Sequence, residues 1–230
     1  MANRKYIMVI DTETANGIIT NDGKLDLSCS LVYDIGFNVI DKKGTVYCRQ
    51  SMAIADIFCG MKDLMQSAYY VEKIPSYWNE IKEGKRELVT FLHAWDIVKE
   101  TMRAFNITTV CAHNAKFDIN ALNNTMRYIT KSKIRYFFPC GTEVWCTMKG
   151  AQNTICKQKG YIAFCNKYGY LTKHKTPRVR STAEILYRYL SGNHDFIEEH
   201  QGVYDTDIEA KILVQILRQH KKKEYIQLYA

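Results

Sequence analysis

The run Val9-Ile10-Asp11-Thr12-Glu13-Thr14 places two carboxylates two residues apart at the end of an apolar stretch. Two further strings carry groups of the same kind: His113-Asn114-Ala115-Lys116-Phe117-Asp118 and His200-Gln201-Gly202-Val203-Tyr204-Asp205. Four acids, Asp11, Glu13, Asp118 and Asp205, and one histidine, His200, therefore stand in three pieces that span nearly the whole chain. Brought together without a counter-charge, the acids would raise one another's pKa and oppose folding. A divalent cation is what such a cluster implies. Mg²⁺ or Mn²⁺ suits carboxylate oxygens, and two such ions about 4 Å apart can clamp the attacking and leaving oxygens of a phosphodiester. Histidine, with its pKa near neutrality, suits the remaining task of taking a proton from the attacking water.

Local periodicity says how these groups are presented. Residues 5–10 read as a short buried strand, and the strand period of two puts Asp11 and Glu13 on one face. Residues 107–112 read as a second strand, followed by a helix from Asn114 with Phe117, Ala121, Leu122, Met126 and Ile129 at helical spacing. Asp118 falls in that helix's first turn, where a carboxylate also complements the helix dipole, so a purely structural role stays open for it on this ground. In the third piece, Ile208, Ile212, Leu213, Ile216 and Leu217 form a stripe that must face the core. Asp205 lies in line with that stripe and points inward, whereas Asp207 shares a face with Lys211 and Arg218 and points to water. His200 lies in the segment that precedes this helix.

Taken together, the three strings resemble the signature of the DEDDh exonucleases, the DnaQ-like 3′→5′ proofreading and trimming nucleases. The second string matches the family's H-N-x-x-F-D pattern at four positions, and the third carries its H-x-x-x-x-D spacing. Gly202 replaces the usual Ala of the third motif, and Thr14-Ala15-Asn16-Gly17 stands where the family often has Thr-Gly. The resemblance implies a ribonuclease H-like fold and a stand-alone enzyme like those of bacteria and their phages. It implies that Asp11, Glu13, Asp118 and Asp205 hold two Mg²⁺ or Mn²⁺ ions and that His200 is the general base. It further implies that Thr12, Thr14, Asn114 and Phe117 line the site for the terminal nucleotide, although Phe117 reads equally well as a core aromatic. The implied activity is hydrolysis of single-stranded DNA 3′ ends to nucleoside 5′-monophosphates, with a polymerase or replication protein as a candidate partner. The alternatives are an RNA-trimming enzyme of the same family and a catalytically inactive binding or polymerase-accessory module.

Composition bounds the rest. At 230 residues, 47% of them hydrophobic, the chain can bury a full core, and it reads as one domain over 1–230 with less legible insertions near 51–85 and 150–180. No leader-like apolar segment and no stretch of spanning length is present, so a cytoplasmic protein without membrane contact is expected. The eight cysteines include no C-x-x-C pair and read as reduced thiols. The formal charge of +8 is concentrated: residues 144–183 hold eight Lys or Arg and no acid, interleaved with Tyr161, Phe164, Tyr168 and Tyr170. That pattern suits phosphate neutralisation with rings on which bases stack. It suits equally a solvated basic face with its aromatics in the core. Lys221 to Lys223 read as the cap of a C-terminal helix. Strands over 31–40 and 44–50, a helix over 86–105 with its apolar stripe from Leu88 to Phe105, and a strand over 142–146 complete the order. The expected class is α/β, a mixed five-stranded sheet flanked by helices.

Overall fold

A computed structural model describes residues 5–16, 29–66, 68, 70–219 and 227–229 of the chain. The expectation for Lys221 to Lys223 lies outside the described residues. Three antiparallel strands come first: β1 (Tyr6–Ala15), β2 (Leu31–Asp41) and β3 (Val46–Ile54). Short helices α1 (Ala55–Phe58) and α2 (Lys62–Met65) follow, then α3 (Ile74–Lys82) and the edge strand β4 (Glu87–Val89). Next come α4 (Phe91–Ala104), β5 (Thr109–Ala112), α5 (Ala115–Thr130) and β6 (Glu143–Cys146). The chain continues through α6 (Thr147–Asn153), α7 (Lys159–Tyr168), α8 (Ala183–Ser191) and α9 (Gly202–Arg218) to β7 (Gln227–Tyr229). The sheet order is β4-β3-β2-β1-β5-β6-β7, with β5 parallel to both β1 and β6.

The alternation of β1 divides the core in two. Met8 and Ile10 pack on one face with residues of α4 and α5 such as Val98, Leu122 and Met126. Ile7 and Val9 pack on the other with Leu186 of α8 and Ile212 and Leu213 of α9. The same period carries on past the apolar run, so Asp11 and Glu13 continue the α9 face while Thr12 continues the α5 face. At the α9 face the helix comes very close to the sheet. A Cβ on Gly36 of β2, which pairs with Asp11, would sit 2.0 Å from the Val203 nitrogen. A Cβ on Gly202 would sit 2.8 Å from the Gly36 nitrogen. Glycine at both positions lets the first turn of α9 lie directly on β2, and this is a physical reason for Gly at position 202.

Two expectations are corrected. Among the described residues the sheet has seven strands rather than five, the additions being the three-residue strands β4 and β7. Both are too short to leave a period in the sequence. For the same reason the helix expected over 86–105 begins only at Phe91. Glu87–Val89 pairs with Met52–Ile54, and Thr90 caps α4 by accepting from the His93 N–H at 3.3 Å. Leu88, assigned to the apolar stripe, is 39% exposed as a result, while Phe91, Ala94, Val98 and Met102 form the buried face. Among the aromatics of the basic segment, Tyr161 and Phe164 are buried core residues rather than open platforms.

Candidate active site

The three strings converge on a cavity of about 630 Å³ at the end of β1. Its walls include Asp11, Glu13, Asp118, His200 and Asp205, and also Thr12, Thr14, Asn114 and Phe117. One carboxylate oxygen each from Asp11, Glu13 and Asp205 lies within 4.8 Å of the other two. Asp11 Oδ2 and Asp205 Oδ1 are buried and make no hydrogen bond among the described residues. The inward direction read for Asp205 holds: it is buried, whereas Asp207 is half-exposed, pairs with Arg49 at 3.0 Å and accepts from Asn38 at 2.7 Å.

Asp118 approaches from the α5 side. Its Oδ1 accepts both the Thr12 N–H, at 3.2 Å, and the Thr12 hydroxyl, at 3.0 Å. Thr12 therefore spends its donors on orienting Asp118. Asn114 precedes α5 in the left-handed region, with φ 68°, a conformation that Asn tolerates better than most residues. His113 beside it is a structural residue. Its Nε2 faces the Ser181 carbonyl at 2.8 Å, an acceptor that requires a proton on that nitrogen, and Nδ1 lies 3.0 Å from the Thr147 hydroxyl. Burial lowers its pKa to about 4, so it stays neutral.

Electrostatically the site is a set of acids forced together. Burial first, then neighbouring carboxylates, hold Asp11, Glu13 and Glu209 well above the ordinary carboxylate range. Burial raises Asp118 to about 7 against the Thr12 hydrogen bonds, and burial with Glu198 raises Asp205 to about 8. A divalent cation would reverse this penalty, and the orphaned oxygens of Asp11 and Asp205 would gain their missing partner. The donor set is oxygen throughout, so Asp11, Glu13 and Asp205 fit a hard cation such as Mg²⁺ or Mn²⁺.

Three ionisable wall residues, Glu209, Glu198 and Tyr70, escape sequence reasoning. Glu209 lies four residues after Asp205, one turn along the inner face of α9, and accepts the His113 N–H at 3.1 Å. That spacing was the available signal. Glu198 is raised to about 7, chiefly by burial, and its Oε2 lies 4.0 Å from His200 Nδ1. Tyr70, from the least legible stretch, stacks its ring on His200 with 4.3 Å between centroids and 10° between planes. His200 itself takes a left-handed φ of 51°, and burial and then Lys73 lower its pKa below 6.5. The segment around it is pinned from the same stretch. Lys73 Nζ donates to the Glu199 carbonyl, and Gln201 Nε2 donates to Ser76 Oγ at 3.0 Å. Arg86 donates to Gln201 Oε1 at 3.2 Å, and the Gly202 N–H reaches Asp34 at 3.0 Å.

Several solved structures share this arrangement of elements. A full-length 3′-exonuclease superposes with a TM-score of 0.58 at 13% identity, covering 99% of this chain and 91% of its own. A 3′-exonuclease described as recognising the 3′ end of a histone mRNA stem-loop gives 0.57 at 13% identity, over 94% of this chain and 83% of its own. The nuclease domain of 3′hExo, described as a DEDDh family member bound to rAMP, gives 0.54 at 13% identity, over 95% and 94%. The chain has the ribonuclease H-like fold of these exonucleases. No protein-family model and no curated protein matches its sequence. Among the described residues no helix is long and apolar enough to cross a membrane.

Proposed function

We propose that this ribonuclease H-like chain is a DEDDh-type, metal-dependent 3′→5′ exonuclease that removes nucleoside 5′-monophosphates from DNA ends. The observation that carries the reading is the convergence of Asp11, Glu13 and Asp205, with two orphaned carboxylate oxygens, in one cavity with Asp118 and His200. Asp11, Glu13 and Asp205 would hold one divalent ion, with Asp118 and Asp11 supporting a second. When bound, such ions supply Lewis-acid stabilisation of the charge that builds on the phosphate oxygens.

The chain's own side chains account for the remaining needs of the reaction. The His200 imidazole takes the proton from the water that attacks phosphorus, and its lowered pKa keeps it in the accepting form at neutral pH. Glu198 beside Nδ1 stabilises the resulting imidazolium. The Tyr70 stack fixes the plane of the ring. Thr12 holds Asp118 in one orientation, and Thr14, Asn114 and Phe117 form the walls available to the terminal nucleotide. The products are a nucleoside 5′-monophosphate and a strand with a new 3′-hydroxyl. Removal from the 3′ end is supported by the motif resemblance and by the 3′-exonuclease neighbours.

RNA is a second reading, because two of the solved structures that share the fold are described with an mRNA stem-loop and with rAMP. The deciding assay follows 5′-labelled DNA and RNA strands of one sequence with Mn²⁺ and with EDTA. Stepwise shortening of the labelled strand with Mn²⁺ alone is expected. Internal cuts, or release of the 5′ label as a mononucleotide, would overturn the reading.

A further inference from the structure

A second cleft, of about 1020 Å³, adjoins the proposed active site, and Met148 and Thr182 line both. We infer that this cleft takes the sugar–phosphate backbone of the strand lying 5′ to the nucleotide being removed. The inference rests on the nuclease reading of the adjoining cavity.

Three features point to this ligand. The walls carry Lys175, Arg178 and Arg180 with the hydroxyls of Thr172 and Thr176, and no carboxylate. Among the described residues neither Lys175 nor Arg178 forms an ion pair, so their charges are uncommitted. Of aromatic rings the walls carry His174 alone, with no Tyr, Phe or Trp, so the cleft offers mainly charge and hydroxyls. That chemistry recognises phosphates and leaves base identity unread. At 1020 Å³ against 630 Å³, the cleft is also larger than the cavity assigned to the terminal nucleotide, which leaves room for at least one more.

The hairpin that bears the cations is tied down by its own hydrogen bonds. Leu171 bridges Val179 in antiparallel fashion, and the Thr172 N–H donates to the Arg178 carbonyl at 2.8 Å. The Arg178 N–H returns to Thr172 Oγ1 at 3.0 Å. Arg180 Nε is anchored on the Leu171 carbonyl, and the Tyr161 hydroxyl of α7 grips the Arg180 carbonyl at 2.6 Å. Ser181 then ties this hairpin to the active-site wall, accepting from Gln152 at 2.9 Å and from His113, the neighbour of Asn114. A strand leaving the catalytic cavity past Met148 and Thr182 therefore enters a cleft whose walls carry Lys175, Arg178 and Arg180.

The test compares an oligonucleotide with the p-nitrophenyl ester of thymidine 5′-monophosphate, which is too short to reach the cleft. In the variant Lys175→Gln/Arg178→Gln/Arg180→Gln, the ratio of kcat/KM for a single strand to that for the ester should fall. Three lost phosphate contacts reduce the slope of log kcat/KM against log salt by about 2. Between 50 and 200 mM salt the wild type should then lose about 20-fold more rate on the strand than the variant does, from the same slope. Because Arg180 also anchors the hairpin, the double variant Lys175→Gln/Arg178→Gln provides a second measure, with a slope change of about 1.4. An unchanged ratio and slope in both variants overturns the inference, as does an equal loss on both substrates. If the wild type hydrolyses neither substrate, the nuclease reading fails. Anisotropy of a labelled strand in EDTA still decides the cleft in that case: binding that is indifferent to the three cations sinks it.

Discussion

Arg86 is the residue whose removal should reveal how the active-site scaffold is held. It is 2% exposed, pairs with the fully buried Asp34 and with Glu80 at 2.9 Å, and lies 4.0 Å over the Tyr77 ring. Arg86→Met keeps much of the volume and removes the charge, which leaves Asp34 buried and unpaired. Breaking a buried pair from one side costs about 3–5 kcal/mol, a large part of the 5–15 kcal/mol that typically holds a domain together. Asp34 still accepts the Tyr77 hydroxyl and the Gly202 N–H, at 2.8 and 3.0 Å, so its cheapest response is to take a proton. Burial already raises the Asp34 pKa, and Arg86 opposes that rise, so the variant's value goes higher still. A carboxylate whose folded pKa exceeds its unfolded value contributes stability at low pH that is lost as pH rises. The deficit in Arg86→Met should thus be smallest at low pH, where Asp34 holds its proton, and grow as pH rises. Adding Asp34→Asn removes the stranded charge while keeping an acceptor for Tyr77 and Gly202. The double variant should therefore be more stable than Arg86→Met alone at pH 8. Urea unfolding of the four proteins at pH 5 and pH 8 measures this directly. If Arg86→Met lies within 1 kcal/mol of wild type at pH 8, or if the two losses simply add, the argument fails.

Three other outcomes are expected. Asp205→Asn should abolish turnover, whereas Asp207→Asn should stay active and lose at most about 1 kcal/mol, because its pair with Arg49 is half-exposed; a dead Asp207 variant would reverse the assignment. His200→Ala should lose about two to four orders of magnitude in rate with Mn²⁺ affinity by calorimetry nearly unchanged. The acid limb of the wild-type pH–rate profile should fall below 6.5, in the direction of its shift, and a large drop in Mn²⁺ affinity would make His200 a ligand. In EDTA the melting temperature should decline as pH rises from about 4 through the values of about 7 and 8 for Asp118 and Asp205, since the folded state holds the extra protons. Mn²⁺ should accordingly stabilise the protein more at pH 8 than at pH 5, and equal stabilisation at both would show that these acids do not bind it.

What was legible in the sequence was whatever a short-range period encodes. The two-residue period of β1 put Asp11 and Glu13 on one face, and the helical stripe of α9 separated Asp205 from Asp207, because each rule needs only a handful of neighbouring residues. Motif spacing singled out Asp11, Glu13, Asp118 and Asp205, and the fold brings these four to one cavity. What the fold decided were meetings between distant residues that no local pattern announces. Thr12 orients Asp118 across 106 positions, and Arg86 reaches Gln201 across 115. Tyr70 and Lys73 reach the His200 segment from a stretch of short helices with no sustained amphipathic run to read. Strand β4 exists because β3 supplies its hydrogen bonds, and Tyr161 and Phe164, which read equally as base platforms, became core because both rings pack on Tyr189 of α8. A period records which way a side chain points; only the order of strands and the packing of helices records what it meets there.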